Sequence, residues 1–151
     1  MLKALGYAWS FPVTFVGIVY ALVMCMMGWY RWHGVEGDAL VWVVDTARSP
    51  TWLMKAWDRW SGHTIGQVVV MKYAPSEKPI VLRHEQQHVM QCMRLGVFQP
   101  IMYALIWMSI KAGCPASDAY YDCSFEVDAR RAAGQVIDVQ GTLKKLQEHV
   151  S

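Results

Sequence analysis

Apolar residues run without a single charge from Ala4 to Tyr30, and beyond them the chain breaks into shorter segments of mixed character. The run exceeds the roughly 20 residues that cross hydrocarbon. Trp9 and Trp29 bracket it, 20 residues apart, which is about 30 Å along a helix and matches the thickness of the apolar slab. Tyr7, Tyr30 and Trp32 widen both ends into an interfacial belt. The pattern predicts one transmembrane helix within residues 1–32, leaving residues 33–151 as the folded domain. A signal peptide fits less well, because no small-x-small site closes the run. Lys3 opposes Arg31 across it, so the side of the membrane on which the domain lies stays open.

Downstream, Gly66–Tyr73 is rich in β-branched residues and bounded by turn formers, which predicts a strand. From Ser76 to Leu95 the period changes: Val81, Leu82, Val89, Cys92 and Leu95 recur at helical steps, with Ser76 as expected N-cap and Gly96 as stop. Residues 97–110 read as a short apolar helix that is either core or membrane-skirting. Trp52, Ala56, Trp57 and Trp60 share one helical face, which predicts a core contact or, alternatively, an interfacial one. Ser124 is expected to cap a last helix, in which Phe125, Ala129, Ala132, Ala133 and Val136 form a small-residue face able to pack closely. The tail after Gly134, ending in Lys144 to His149, reads as a solvated helix. The class that follows is α+β.

Composition adds little to this outline but excludes some functions. The chain of 151 residues is long enough for one domain, and its 54% hydrophobic content reflects mainly the first segment. A net charge of +2 with no basic run argues against nucleic-acid binding. There is no CxxC pair to suggest a zinc ribbon. Cys114 and Cys123 flank a loop before the last helix, where a disulfide in an oxidising compartment and two free thiols are equally compatible readings. Cys25 and Cys92 stand in apolar surroundings and are expected as buried thiols.

The chemistry lies in His84-Glu85-Gln86-Gln87-His88, an HExxH spacing. Positions i and i+4 are one turn apart, so both imidazoles can converge on a single ion, of which zinc is the expected one. Glu85 cannot easily join that ligand set, but it can take a proton from bound water as general base. Gln91 and Arg94 stand where the longer HExxHxxGxxH motif would need Gly and His, which excludes a third histidine ligand there. Glu126 is the preferred third ligand, with Asp122 and Asp128 as fallbacks; the competing reading of Glu126 is an exposed i,i+4 pair with Arg130.

Strand, short loop, HEQQH helix, a second apolar helix and then FEVDAR resemble the minimal gluzincin zinc metallopeptidases, and the order of elements from Ala39 to about Arg131 is similar to small bacterial membrane-anchored metallopeptidases. The resemblance covers roughly two thirds of the chain. It implies a minigluzincin-like core, a zinc ion held by His84, His88 and Glu126, Glu85 as catalytic base, and a peptide or protein substrate. Tyr120, Tyr103 and His63 are candidates for a transition-state donor. The rival reading keeps zinc as a structural staple in a membrane, phage or secretion assembly, with a protein complex or oligomer as context. In a third, HExxH is accidental and the chain is an apolar interaction module.

Overall fold

The computed structural model describes residues 2–113 and 118–137 of the chain. Its elements, in order, are α1 (Leu2–Met26), β1 (Tyr30–Glu36), β2 (Ala39–Val44), α2 (Thr51–Trp57), β3 (Gly62–Ile65), β4 (Val68–Met71), α3 (Pro79–Leu95), α4 (Phe98–Gly113), α5 (Ala119–Asp122) and α6 (Ser124–Ala133). The four strands form one mixed sheet in the order β1-β2-β4-β3. β1 and β2 are an antiparallel hairpin, β2 runs parallel to β4, and β3 returns antiparallel beside β4. The class is α+β, as expected, with α1 as one helix long and apolar enough to cross a membrane.

Alternation along the strands sorts the core into two layers. Val68 and Val70 of β4, with Trp42 and Val44 of β2, pack against Ala21 of α1 and against Leu53 and Trp57 of α2. On the opposite face, Ala39, Val41, Val69 and Met71 pack against Val89 and Met93 of α3. All four residues of β4 are buried, as a central strand covered on both faces requires.

The expected strand Gly66–Tyr73 is therefore a hairpin turn followed by the shorter β4. Gly66 takes a positive φ of 66° in that turn, and a Cβ there would stand 2.5 Å from the Thr14 backbone of α1. Only glycine meets both conditions. β4 is paired on both sides, and the strand at that end of the sheet is β3.

Two helix starts differ from expectation. α3 begins at Pro79, where the ring occupies a position whose N–H would have no intrahelical partner, and its N-cap is Lys78 without a side-chain bond. Ser76 and Glu77 instead belong to a turn closed by Glu77 N donating to Ala74 O at 2.9 Å. α6 is preceded by Cys123, so Ser124 is its first residue and not its cap. The tryptophan face divides as well: Trp57 is core, whereas Trp52 and Trp60 are exposed. α4 leaves α3 at a bend of 112° and carries no fully buried residue. Cys92 and Cys123 are buried and Cys25 is half-buried. Cys114 lies outside the described residues, as do the expected tail helix and His149.

Candidate metal centre

α3 is fixed to the sheet by its apolar stripe, which leaves His84 and His88 facing Glu126 of α6 and Glu85 facing the edge strand β3. α6 comes close because Ala129 and Ala133 line its buried face. Glu126, on the same face, reaches the histidines.

The two imidazoles meet Nε2 to Nε2 at 3.2 Å. Glu126 presents Oε2 to His84 Nε2 at 3.3 Å and Oε1 to His88 Nε2 at 3.4 Å. All three residues are buried, and they form a group that can hold a metal ion. Ligand atoms about 2.0–2.1 Å from a tetrahedral ion stand about 3.3 Å from one another, which is the spacing found.

The outer ring nitrogens decide the tautomers. His88 Nδ1 is 2.8 Å from Gln91 Oε1, and Gln91 is oriented because its Nε2 donates to Phe125 O at 3.0 Å. An amide oxygen accepts only, so Nδ1 carries the hydrogen and Nε2 turns a bare lone pair inward. His84 Nδ1 lies 2.9 Å from Gln135 Oε1, an acceptor that favours the same tautomer. Two inward lone pairs and a carboxylate repel one another unless a cation or a proton stands among them. With protein groups alone, a proton supplies that charge: burial lowers the His88 pKa, but hydrogen bonding to Glu126 and the Glu85 charge outweigh it and the net shift is upward. Burial works against ionised Glu126, and the two histidines overcome it and hold the carboxyl far below the ordinary carboxylate range. Among the described residues, Glu126 Oε2 receives no hydrogen bond, and its charge partners are His84 Nε2 at 3.3 Å and Arg130 Nη2, its i,i+4 neighbour, at 3.7 Å. The pair with Arg130 is thus present but buried, and a carboxylate facing two imidazole lone pairs fits a divalent ion.

Glu85 is buried beside this group without belonging to it. The Thr64 hydroxyl on β3 donates to its Oε2 at 2.7 Å. Burial is the main cause that raises its pKa, against the opposing charge of His88. The carboxylate has room because residue 62 lacks a side chain: a Cβ there would lie 2.7 Å from Glu85 Oε1. A cleft of about 240 Å³ opens over Glu85 and His84, walled by Gly62, Tyr120, Arg130 and Gln135.

The three donor candidates separate. Tyr120 lies on the cleft wall, and burial, reinforced by the Glu126 charge, pushes its phenol up to about 12. Tyr103, on α4, donates to Glu126 Oε1 at 3.0 Å and so holds a candidate ligand. His63 is not in the site: it is half-buried on β3, with its ring stacked on the core residue Trp57, centroids 5.0 Å apart. Of the fallback ligands, Asp128 is exposed and paired with Arg131 at 3.2 Å, and Asp122 ends α5, outside the histidine group. Sequence reasoning missed Gly62, Thr64, Gln135 and the role of Gln91, whereas Arg130, read from the sequence as the i,i+4 partner of Glu126, is found there at 3.7 Å, buried rather than exposed. Gln91 alone had a local signal, since it follows His88 by three residues on the same helical face.

Comparison of the chain with protein-family models, with curated proteins and with solved structures gives no match.

Proposed function

We propose that the chain is a zinc-dependent peptidase of the minimal gluzincin kind, kept at a membrane by its apolar segment. The observation that carries this reading is the pairing of a His84–His88–Glu126 group with a separate carboxylate, Glu85, at the floor of an open cleft. Two imidazoles and one carboxylate are a donor set typical of catalytic zinc. When bound there, zinc would polarise a substrate carbonyl and lower the pKa of water.

The protein groups divide the remaining work. Glu85, made more basic by burial and oriented by Thr64, accepts the proton of the attacking water and returns it to the leaving amine. Tyr120 stays protonated at neutral pH and is the donor in the cleft wall able to stabilise developing negative charge. An extended peptide would pair with the free edge of β3, the strand that carries Gly62 and Thr64.

One observation favours the structural alternative: all three candidate ligands are buried, and an ion there would join α3 to α6 whether or not it performed chemistry. Two measurements on one purified protein separate the readings. About one zinc per chain is expected by elemental analysis after reconstitution, and less than a tenth of that would remove both readings. Cleavage of a broad peptide library by the wild type, abolished in Glu85→Gln with zinc content retained, supports the peptidase. Full zinc content with no cleavage leaves the staple.

A further inference from the structure

We infer that the protein lies in the plane of the membrane on an anionic bilayer surface, seated on the outer face of α1 and on α4, and that α1 does not cross the bilayer. This holds whatever the metal site does.

The argument starts from how α1 is docked. Ser10, Thr14, Gly17 and Ala21 recur at steps of four, three and four, forming one buried stripe of small side chains. Along that stripe the domain follows the helix. A Cβ at Gly6 would stand 3.2 Å from Met93 O of α3, and one at Gly17 would stand 2.5 Å from Ile65 O of β3. Thr14 Oγ1 accepts from Gln67 N at 3.1 Å. A charged pair holds its start, where Lys3 meets Asp38 at 3.1 Å.

A crossing helix would carry all of this into hydrocarbon. The sheet lies alongside α1 and, among the described residues, has two unpaired edges, β1 and β3. Open sheet edges and their unsatisfied N–H and C=O groups are not tolerated within the hydrocarbon region. One side of α1 is therefore committed to a polar domain, and the other is free for lipid.

That other side is apolar. Phe11, Phe15, Val19, Leu22 and Met26 are all exposed on α1. The surface continues onto α4, whose start meets α1 where Trp9 and Phe98 lie 5.9 Å apart, and Ile101, Leu105 and Met108 extend it. An exposed apolar surface of two helices is far larger than the isolated patches common on soluble proteins. The charged groups flanking α4 are basic: Arg94 precedes it and Lys111 follows Trp107 near its end, both exposed, whereas Lys3 at the start of α1 is paired with Asp38. Apolar helix faces with lysine and arginine at their ends suit an interfacial seat among anionic headgroups.

The test uses the full chain in two arms. In vesicle flotation, wild type should bind phosphatidylcholine vesicles weakly and vesicles with added phosphatidylglycerol strongly, and Phe15→Glu with Leu105→Glu should weaken the latter by about tenfold or more while zinc content stays unchanged. In sealed membrane vesicles, Lys3→Cys and Glu77→Cys, each read against the native cysteines, should react with an impermeant maleimide from the same side. Labelling from opposite sides would show a crossing helix and overturn the proposal. So would a stable soluble homodimer that ignores vesicles, or flotation that the two glutamates do not reduce.

Discussion

Thr64 and Glu85 are joined across the gap between β3 and α3, hydroxyl to carboxylate, at 2.7 Å. The same hydroxyl lies 3.3 Å from the Glu85 carbonyl oxygen, so the edge strand fixes both the backbone and the side chain of the proposed base. Hydrogen bonds to charged groups are worth about 1.5–3 kcal/mol. Thr64→Val should therefore lower peptide turnover by about tenfold or more with zinc content unchanged, measured as initial rates beside elemental analysis. Loss of zinc in this variant would place Thr64 in the ligand scaffold instead.

Gln91→Leu and Gln135→Leu each remove the acceptor that sets one histidine tautomer. Such supporting groups typically contribute 10- to 100-fold to metal affinity. Competition titration against a chromophoric chelator should show a loss of that size in each variant, and unchanged affinity in both would mean that the imidazoles orient themselves.

Glu126→Ala should abolish zinc retention after dialysis, whereas Asp128→Ala, which breaks only an exposed pair with Arg131, should retain it. Chelation of the wild type should also lower its unfolding midpoint, because an ion that binds only the folded chain stabilises it by about 2.7 kcal/mol at a hundredfold excess over Kd.

His63 gives the fold its own acid sensitivity. Burial lowers its pKa from the ordinary 6.5 to about 4, so between those values the unfolded chain takes up a proton that the folded chain does not. Stability is present above about pH 6.5 and is lost as pH falls towards 4, by up to about 3 kcal/mol at 1.36 kcal/mol per unit. The wild type minus His63→Phe difference in chemical unfolding should fall along that window, the ring contact with Trp57 being kept.

Removing residues 1–32 should not leave a well-folded remainder. The cut takes α1, which covers Val68 and Val70, and the first three residues of β1. The truncated chain is expected to aggregate and to lose its cooperative thermal transition.

Legibility followed locality. His84, Glu85 and His88 could be read because one helical turn determines their relation, and Glu126 because its small-residue face signals a close helix contact. β3 could not: Gly62-His63-Thr64-Ile65 is four half-buried residues without alternation, held in place by β4 and by Glu85. The β1–β2 hairpin was obscured by the apolar run that precedes it. Ser76 looked like a cap because a proline is tolerated anywhere in a first turn, whereas Pro79 takes the first helical position itself. Gln135 reaches His84 across 51 positions, and no short-range pattern carries such information.

The placement of Glu126 and Gln135 on and just after α6, the last element described, bears on the order of synthesis. Domains made on the ribosome begin folding from their N-terminal end, so α1, the sheet and α3 emerge while the donor set still consists of two histidines. A nascent chain at that stage lacks its carboxylate ligand and one of its two imidazole supports. On the metal reading proposed above, capture of the ion would wait until the rest of the scaffold exists, and a truncated translation product would leave the ribosome without the full donor set.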